Sequence, residues 1–225
     1  MTFSIAALCP KTGRIALAIA SSSPAVTARC AHLRSEVGAV ATQNITDPRL
    51  GPRGLDLMAL GASAVEATAI LHATAPFADY RQVTLIDRAG RTAWFSGSHA
   101  LGIHGGAEGD CVVAAGNLLA NPGVPRAMVE SFAATDPEGD LGGRVVAAMQ
   151  AGLAAGGEAG PIRSAGLLMV DRVPWPVADL RVDWHDAPIE ELARLWQLWK
   201  PQLEDYVTRA LDPSRAPSFG VPGDR

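Results

Sequence analysis

Two runs near the start of the chain, TFSIAAL and RIALAIA, are apolar almost throughout and are parted by CPKTG. Neither alternates apolar with polar residues, so the pattern predicts strands covered on both faces. Pro10 and Gly13 in the break make the pair a hairpin. VGAVATQN, Val37 to Asn44, predicts a third strand, and TDPRLGPRG after it is dense in Pro and Gly. Leu55 to Ala75 has helical character with an interruption at Gly61. Ser63 and Glu66 carry capping-box spacing at the start of its second half. RQVTLID and RTAWFSG flank Arg88-Ala89-Gly90 and predict a second hairpin. DCVVAAGN predicts a further strand. Helices over 124–133 and 141–155 follow, the latter closed by Gly156-Gly157. SAGLLMV, Ser164 to Val170, is the last clear strand.

Hairpins mean antiparallel sheets, and helices grouped in blocks cover sheets rather than link parallel strands. The order fits an α+β fold, a four-layer αββα sandwich of two antiparallel sheets, with the apolar hairpin at its centre. Residues 1–175 hold this core. Residues 176–225 are expected to form a C-terminal helical extension and tail. PWPVADLRVDWHDAP marks the change in character, with Asp186 suited to cap a helix that has Pro188 in its first turn. Ile189, Leu192, Leu195, Trp196, Trp199, Leu203 and Val207 then form a helical stripe, kinked near Pro201. This aromatic stripe either packs on the core or meets another subunit, which makes a homo-oligomer, a dimer or larger, the expectation.

Composition narrows the function classes. The chain has 225 residues, 48% of them hydrophobic, and a net charge of −4. That supports a substantial core, and without any Lys/Arg run no nucleic-acid partner is expected. Lys11 and Lys200 are its two lysines. Cys9, Cys30 and Cys111 are odd in number and lack CxxC spacing, which suits a reducing compartment. There is no signal-peptide pattern and no apolar run approaching about 18 residues. A cytoplasmic protein without a membrane span is expected.

Thr2 follows the initiator methionine. Removal of Met1 puts a hydroxyl and a free amine on one residue, a nucleophile beside its own base, and an α-amine is partly unprotonated near neutral pH. Ordinary proteins also begin Met-Thr; the buried hairpin is what would pin this residue in place. Ser21, Ser22 and Ser23 end the second hairpin strand, beside the start of the first. They suit either a polar turn or contact with the amine or a substrate. Thr42-Gln43-Asn44 and Gly116-Asn117 end two further strands and offer amides toward a developing oxyanion, although such residues also favour turns. His99, His104, Asp110 and Cys111 are metal-ligand types, but their spacing matches no zinc pattern. A mobile loop with His104 as a substrate contact is the stronger reading of SHALGIHGGAEGDC. Cys30 and His32 are poorly spaced for a catalytic dyad. No metal or cofactor is expected.

The stretches MTFSIAAL, GRIALAIASS, ATQN with GPRGL, GN-L, SAGLLMV and DLRVDWHDAPIEEL together resemble a bacterial and archaeal family placed in the N-terminal-nucleophile (Ntn) hydrolase superfamily, alongside proteasome β subunits and acylases. The resemblance implies the αββα sandwich and Thr2 as nucleophile once Met1 is removed. It also implies attack on an amide carbonyl through an acyl-enzyme, with no agreed substrate. The expectation is an amidohydrolase acting on a small amide, N-acyl or peptide-like molecule. Backbone N–H groups at Gln43–Asn44, with Asn117, would hold the oxyanion, and Ser21 or Ser22 would orient the amine. Arg53 or Arg81 would bind a substrate carboxylate. Proteasome-type sites place a lysine near the threonine; CAHLRSEVGAV has Arg34 and Glu36 instead. The alternative is a catalytically inactive binding or assembly protein of the same fold.

Overall fold

The computed structural model describes residues 1–222. Strands β1 (Thr2–Leu8) and β2 (Ile15–Ser21) form the expected hairpin at the middle of a six-stranded sheet. Joined to them are β7 (Ile103–Gly109), β8 (Val112–Leu119), β9 (Ser164–Val170) and β10 (Ala178–Val182), in the order β10-β9-β2-β1-β8-β7. The second sheet has β3 (Ala31–Arg34), β4 (Gly38–Asn44), β5 (Arg81–Asp87) and β6 (Thr92–Ser96) in sequential order. Pairing is antiparallel in both.

Three apolar cores separate four layers. Phe3, Ile5 and Ala7 on one face of β1 pack under α4 (Val124–Ala133), α5 (Leu141–Ala154) and α6 (Pro188–Trp199). Ala6 and Leu8 on its other face meet Ala39, Ala41 and Ile86 of the smaller sheet. Val40, Val83 and Leu85 on that sheet's far side lie under α2 (Leu50–Ala59) and α3 (Ala64–Thr74). The hairpin is thus buried on both faces, which is why it carries no polar alternation. The break between α2 and α3 falls at Gly61, and Ser63 and Glu66 make both bonds of the capping box.

The aromatic stripe is turned onto the chain's own core. Trp196 is 2% exposed, and its indole N–H donates to Asp140 Oδ2 at 2.9 Å. Gly142 lies directly beneath it: a Cβ there would sit 2.3 Å from the ring. Trp199 donates to the Val177 carbonyl and stacks on Tyr206 of α7 (Leu203–Leu211). Of the two placements expected for this stripe the fold uses the first, so the stripe no longer argues for a second subunit.

Three strands lie where the pattern predicted none. β3 is four residues long. β10 opens the C-terminal segment and extends the larger sheet before the helices begin. β7 replaces the expected mobile loop; glycine is depleted in strands, but here it permits close packing, since a Cβ on Gly106 would sit 2.6 Å from the Trp94 ring. Among the described residues no helix is long and apolar enough to cross a membrane.

Candidate functional site

Strand register assembles a polar row at one end of the larger sheet. Thr2 is opposite Asn117 on β8, and Ser21 is opposite Ser164 on β9. Phe3 pairs with Ala20, so Thr2 and Ser21 are the next neighbours along the β1–β2 hairpin, with their hydroxyl oxygens 3.5 Å apart. Residues directly opposite share a face. The row Ser164, Ser21, Thr2, Asn117 therefore spans four adjacent strands and faces the smaller sheet. Thr2 is 6% exposed and the other three are fully buried.

The hydrogen bonds in this row have a direction. The Arg29 guanidinium donates to Ser23 Oγ, which lies 2.8 Å from Ser21 Oγ. The Ser23 backbone N–H also donates to Ser21 Oγ at 3.1 Å. With both neighbours able to donate to it, Ser21 directs its own proton to the Met1 carbonyl oxygen, 2.5 Å away. The Thr2 hydroxyl donates to that same oxygen. Arg29, on the short helix α1 (Val26–Cys30), thus puts a fixed positive charge behind the serines. Unlike lysine it cannot serve as a proton acceptor. Ser22 contributes its backbone N–H, which donates to Glu158 Oε2 at 3.1 Å.

Behind the row a buried amide network ties the sheets together. Gln82 Oε1 accepts from Gln43 Nε2 at 2.7 Å and from Asn117 Nδ2 at 3.0 Å. Its own amide nitrogen donates to Ser96 Oγ and to the Gly116 carbonyl. Ser4 donates to Gln43 Oε1 at 2.9 Å. Both polar ends of Gln43 are thereby committed to bracing. Asn44, at φ +73°, donates to the Tyr80 carbonyl and accepts from the Leu101 N–H, so it clamps two loops. These contacts occupy the side-chain amides of Gln43 and Asn44, whereas the oxyanion contact expected of this segment is from its backbone N–H groups. For Asn117 the donor nitrogen is spent on Gln82, and its buried Oδ1, which has no protein partner, is an acceptor.

Glu158 is the residue that strand patterning did not single out. It follows the Gly156-Gly157 turn, pairs with Leu119 by an isolated bridge and is 4% exposed. Its Oε1 is buried without a hydrogen-bond partner. Burial pushes its carboxyl up to about 7, against the pull of the nearby N-terminal ammonium and the Ser22 N–H. An unpaired buried acceptor is costly unless something donates to it.

The remaining expected contacts lie elsewhere. Arg53 sits in α2 and reaches the Thr74 hydroxyl of α3. Arg81 occupies the β5 position next to Gln82 and so points to the opposite face; it donates to the Ile45 carbonyl. Neither is brought to Thr2: Arg53 lies in the helical layer outside the smaller sheet, and Arg81 turns its side chain to that outer face of β5. His104 is exposed on β7, its Nδ1 2.9 Å from the Gly102 carbonyl oxygen. His99 packs on Tyr80. Among the described residues no three His, Cys, Asp or Glu side chains form a metal-ligating group.

The fold and this site define a layered sandwich with a polar row at one sheet end. The family model described as "Family of unknown function (DUF1028)" matches residues 2–192, and the chain belongs to that family. Among solved structures it is similar to protein SPO2555 from Silicibacter pomeroyi, of the same family, at 30% identity and a TM-score of 0.83, covering 91% of this chain and 89% of that one. It also aligns with Anbu, an ancestral beta-subunit from Yersinia bercovieri, at 12% identity and a TM-score of 0.42, covering 92% of this chain and 97% of that one. A comparison with curated protein sequences found no match.

Proposed function

We propose that the protein is an Ntn-type amidohydrolase whose nucleophile is Thr2, made N-terminal by removal of Met1. The observation that carries this reading is the placement of Thr2 between Ser21 and Asn117, on the buried face of a strand sealed on both sides. The hydroxyl attacks the carbonyl of a small amide, N-acyl or peptide-like substrate, and its proton passes to the α-amine of the same residue. Asn117 Oδ1, a buried acceptor without a partner, receives a hydrogen bond from the ammonium so formed. Ser21, oriented from behind by Ser23 and Arg29, donates to the carbonyl oxygen as charge develops on it. The ammonium then gives its proton to the departing amine. Water cleaves the ester on Thr2 and restores the hydroxyl. All three cysteines are free, which suits a reducing compartment such as the cytoplasm.

The second reading, a non-catalytic binding or assembly protein, draws on the amides of Gln43 and Asn44 being consumed internally. One substitution separates the two. In an amide library that the wild-type protein turns over, Thr2→Ala is expected to reduce turnover by about a thousandfold or more. Unchanged turnover removes the mechanism, and a library untouched by the wild-type protein favours the binding role.

A further inference from the structure

Met1 is itself an aminoacyl group joined by an amide to Thr2, and the fold holds it as a ligand would be held. Its carbonyl oxygen accepts from Ser21 Oγ at 2.5 Å and from the Thr2 hydroxyl. Its side chain lies over Gly160, where an added Cβ would be 3.2 Å from Met1 Cε and 3.5 Å from Sδ and would meet nothing else within 4 Å. Beside Gly160 is a pocket of about 250 Å³ lined by Leu153, Ile162 and Pro188, with Glu158 in its wall. The Met1 ammonium makes no ion pair with Glu158, yet its charge draws that carboxyl back toward ionisation, against the larger push of burial. Glu158 Oε1, buried and unpaired, lacks a donor, and an ammonium supplies three.

Moving an acyl group from the Thr2 nitrogen to Thr2 Oγ1 shifts its carbonyl carbon only across the span N, Cα, Cβ, Oγ1. Building on Thr2 as nucleophile, we infer that the acyl half of the substrate is an unblocked aminoacyl group with an unbranched apolar side chain, bound where Met1 sits. Its carbonyl rests on Ser21 and its side chain lies over Gly160, while its ammonium takes up the unpaired Glu158 Oε1, a contact that Met1 itself does not make. In the reaction the Thr2 Oγ1–C bond forms as the amide C–N bond breaks. The leaving amine takes the proton held on the α-amine, and water releases the free amino acid.

Binding tests this without relying on the nucleophile. Thr2→Ala protein prepared with residue 2 at its amino terminus is titrated calorimetrically with L-methioninamide, N-acetyl-L-methioninamide and 4-(methylthio)butanamide, which lacks the amine. L-methioninamide is expected to bind about tenfold or more tightly than the other two. Glu158→Gln should erase that preference. Gly160→Ala, whose added Cβ meets only the Met1 side chain, should weaken L-methioninamide by about tenfold while leaving glycinamide unchanged. Equal binding of the three compounds, binding of none, or indifference to both substitutions overturns the inference. Turnover by the wild-type protein of N-acetylated amides alone would also overturn it, while leaving Thr2 as the nucleophile.

Discussion

Ser21 has a single hydroxyl proton, and its surroundings settle where it goes. Two donors reach its oxygen from the Ser23 side, leaving the proton for the carbonyl at Thr2. A hydroxyl so fixed is ready before the oxyanion forms, and removing one such donor in other acyl-transfer enzymes costs about a hundredfold in kcat or more. Ser21→Ala is therefore expected to lower kcat by about that factor with a smaller change in KM, read from steady-state kinetics on any amide the protein turns over. A change in KM alone would make Ser21 a binding contact. Glu158 acts at the same scale. Its folded pKa of about 7 lies above the ordinary carboxylate value of 4.5. Between those limits the unfolded chain holds fewer protons than the folded one, so this residue makes stability fall as pH rises through the window. Below it both states are protonated and the penalty vanishes. Glu158→Gln is expected to flatten the urea-unfolding profile relative to wild type over that window, by up to about 3 kcal/mol at its upper end. Parallel profiles would show that the carboxyl is not buried unpaired.

Among elements, the junction between the sheets depends on one amide. Gln82 of β5 satisfies Gln43 from β4 and Asn117 and Gly116 from β8. Gln82→Met keeps the volume but strands three buried groups at about 1–3 kcal/mol each. A loss of about 3 kcal/mol or more in denaturant unfolding is expected, against about 1 kcal/mol for Ser4→Ala, which gives up one bond at the network's edge. Equal losses would mean that water replaces the strut. Elements differ in how plainly the sequence shows them. The β1–β2 hairpin, the Ser63 cap and the helix over 124–133 announce themselves because burial on both faces, capping chemistry and helical period each leave a local mark. β7 was hidden because its glycines answer to Trp94 on another strand. β10 was hidden in a Pro/Trp/Asp-rich stretch whose partner, β9, lies on the far side of a turn. The site divides in the same way. Thr2, Ser21 and Asn117 were legible as strand ends, and register alone brings them together. Gln82, Arg29 and Glu158 were not, since a polar residue's value here comes from what lies across the layer from it.

At the scale of the whole molecule, the layers explain why one residue near the chain's start can be fixed so firmly. β1 is the second of two central strands, with helices above and a second sheet below. Its first residue is held by neighbours on both sides, and Met1 projects toward Gly160 and the pocket beside it. The C-terminal helices complete the outer core through Ile189, Leu192 and Trp196, so the family match to residue 192 ends within an element that the sandwich needs. The most direct measurement is intact-protein and peptide mass spectrometry of the chain purified from its native host and exposed to an amide-type acylating probe such as a β-lactone. The expected result is a chain lacking Met1 that carries one acyl group on Thr2, absent in Thr2→Ala. A chain that keeps Met1, or a label on any other residue, would contradict a catalytic amino terminus.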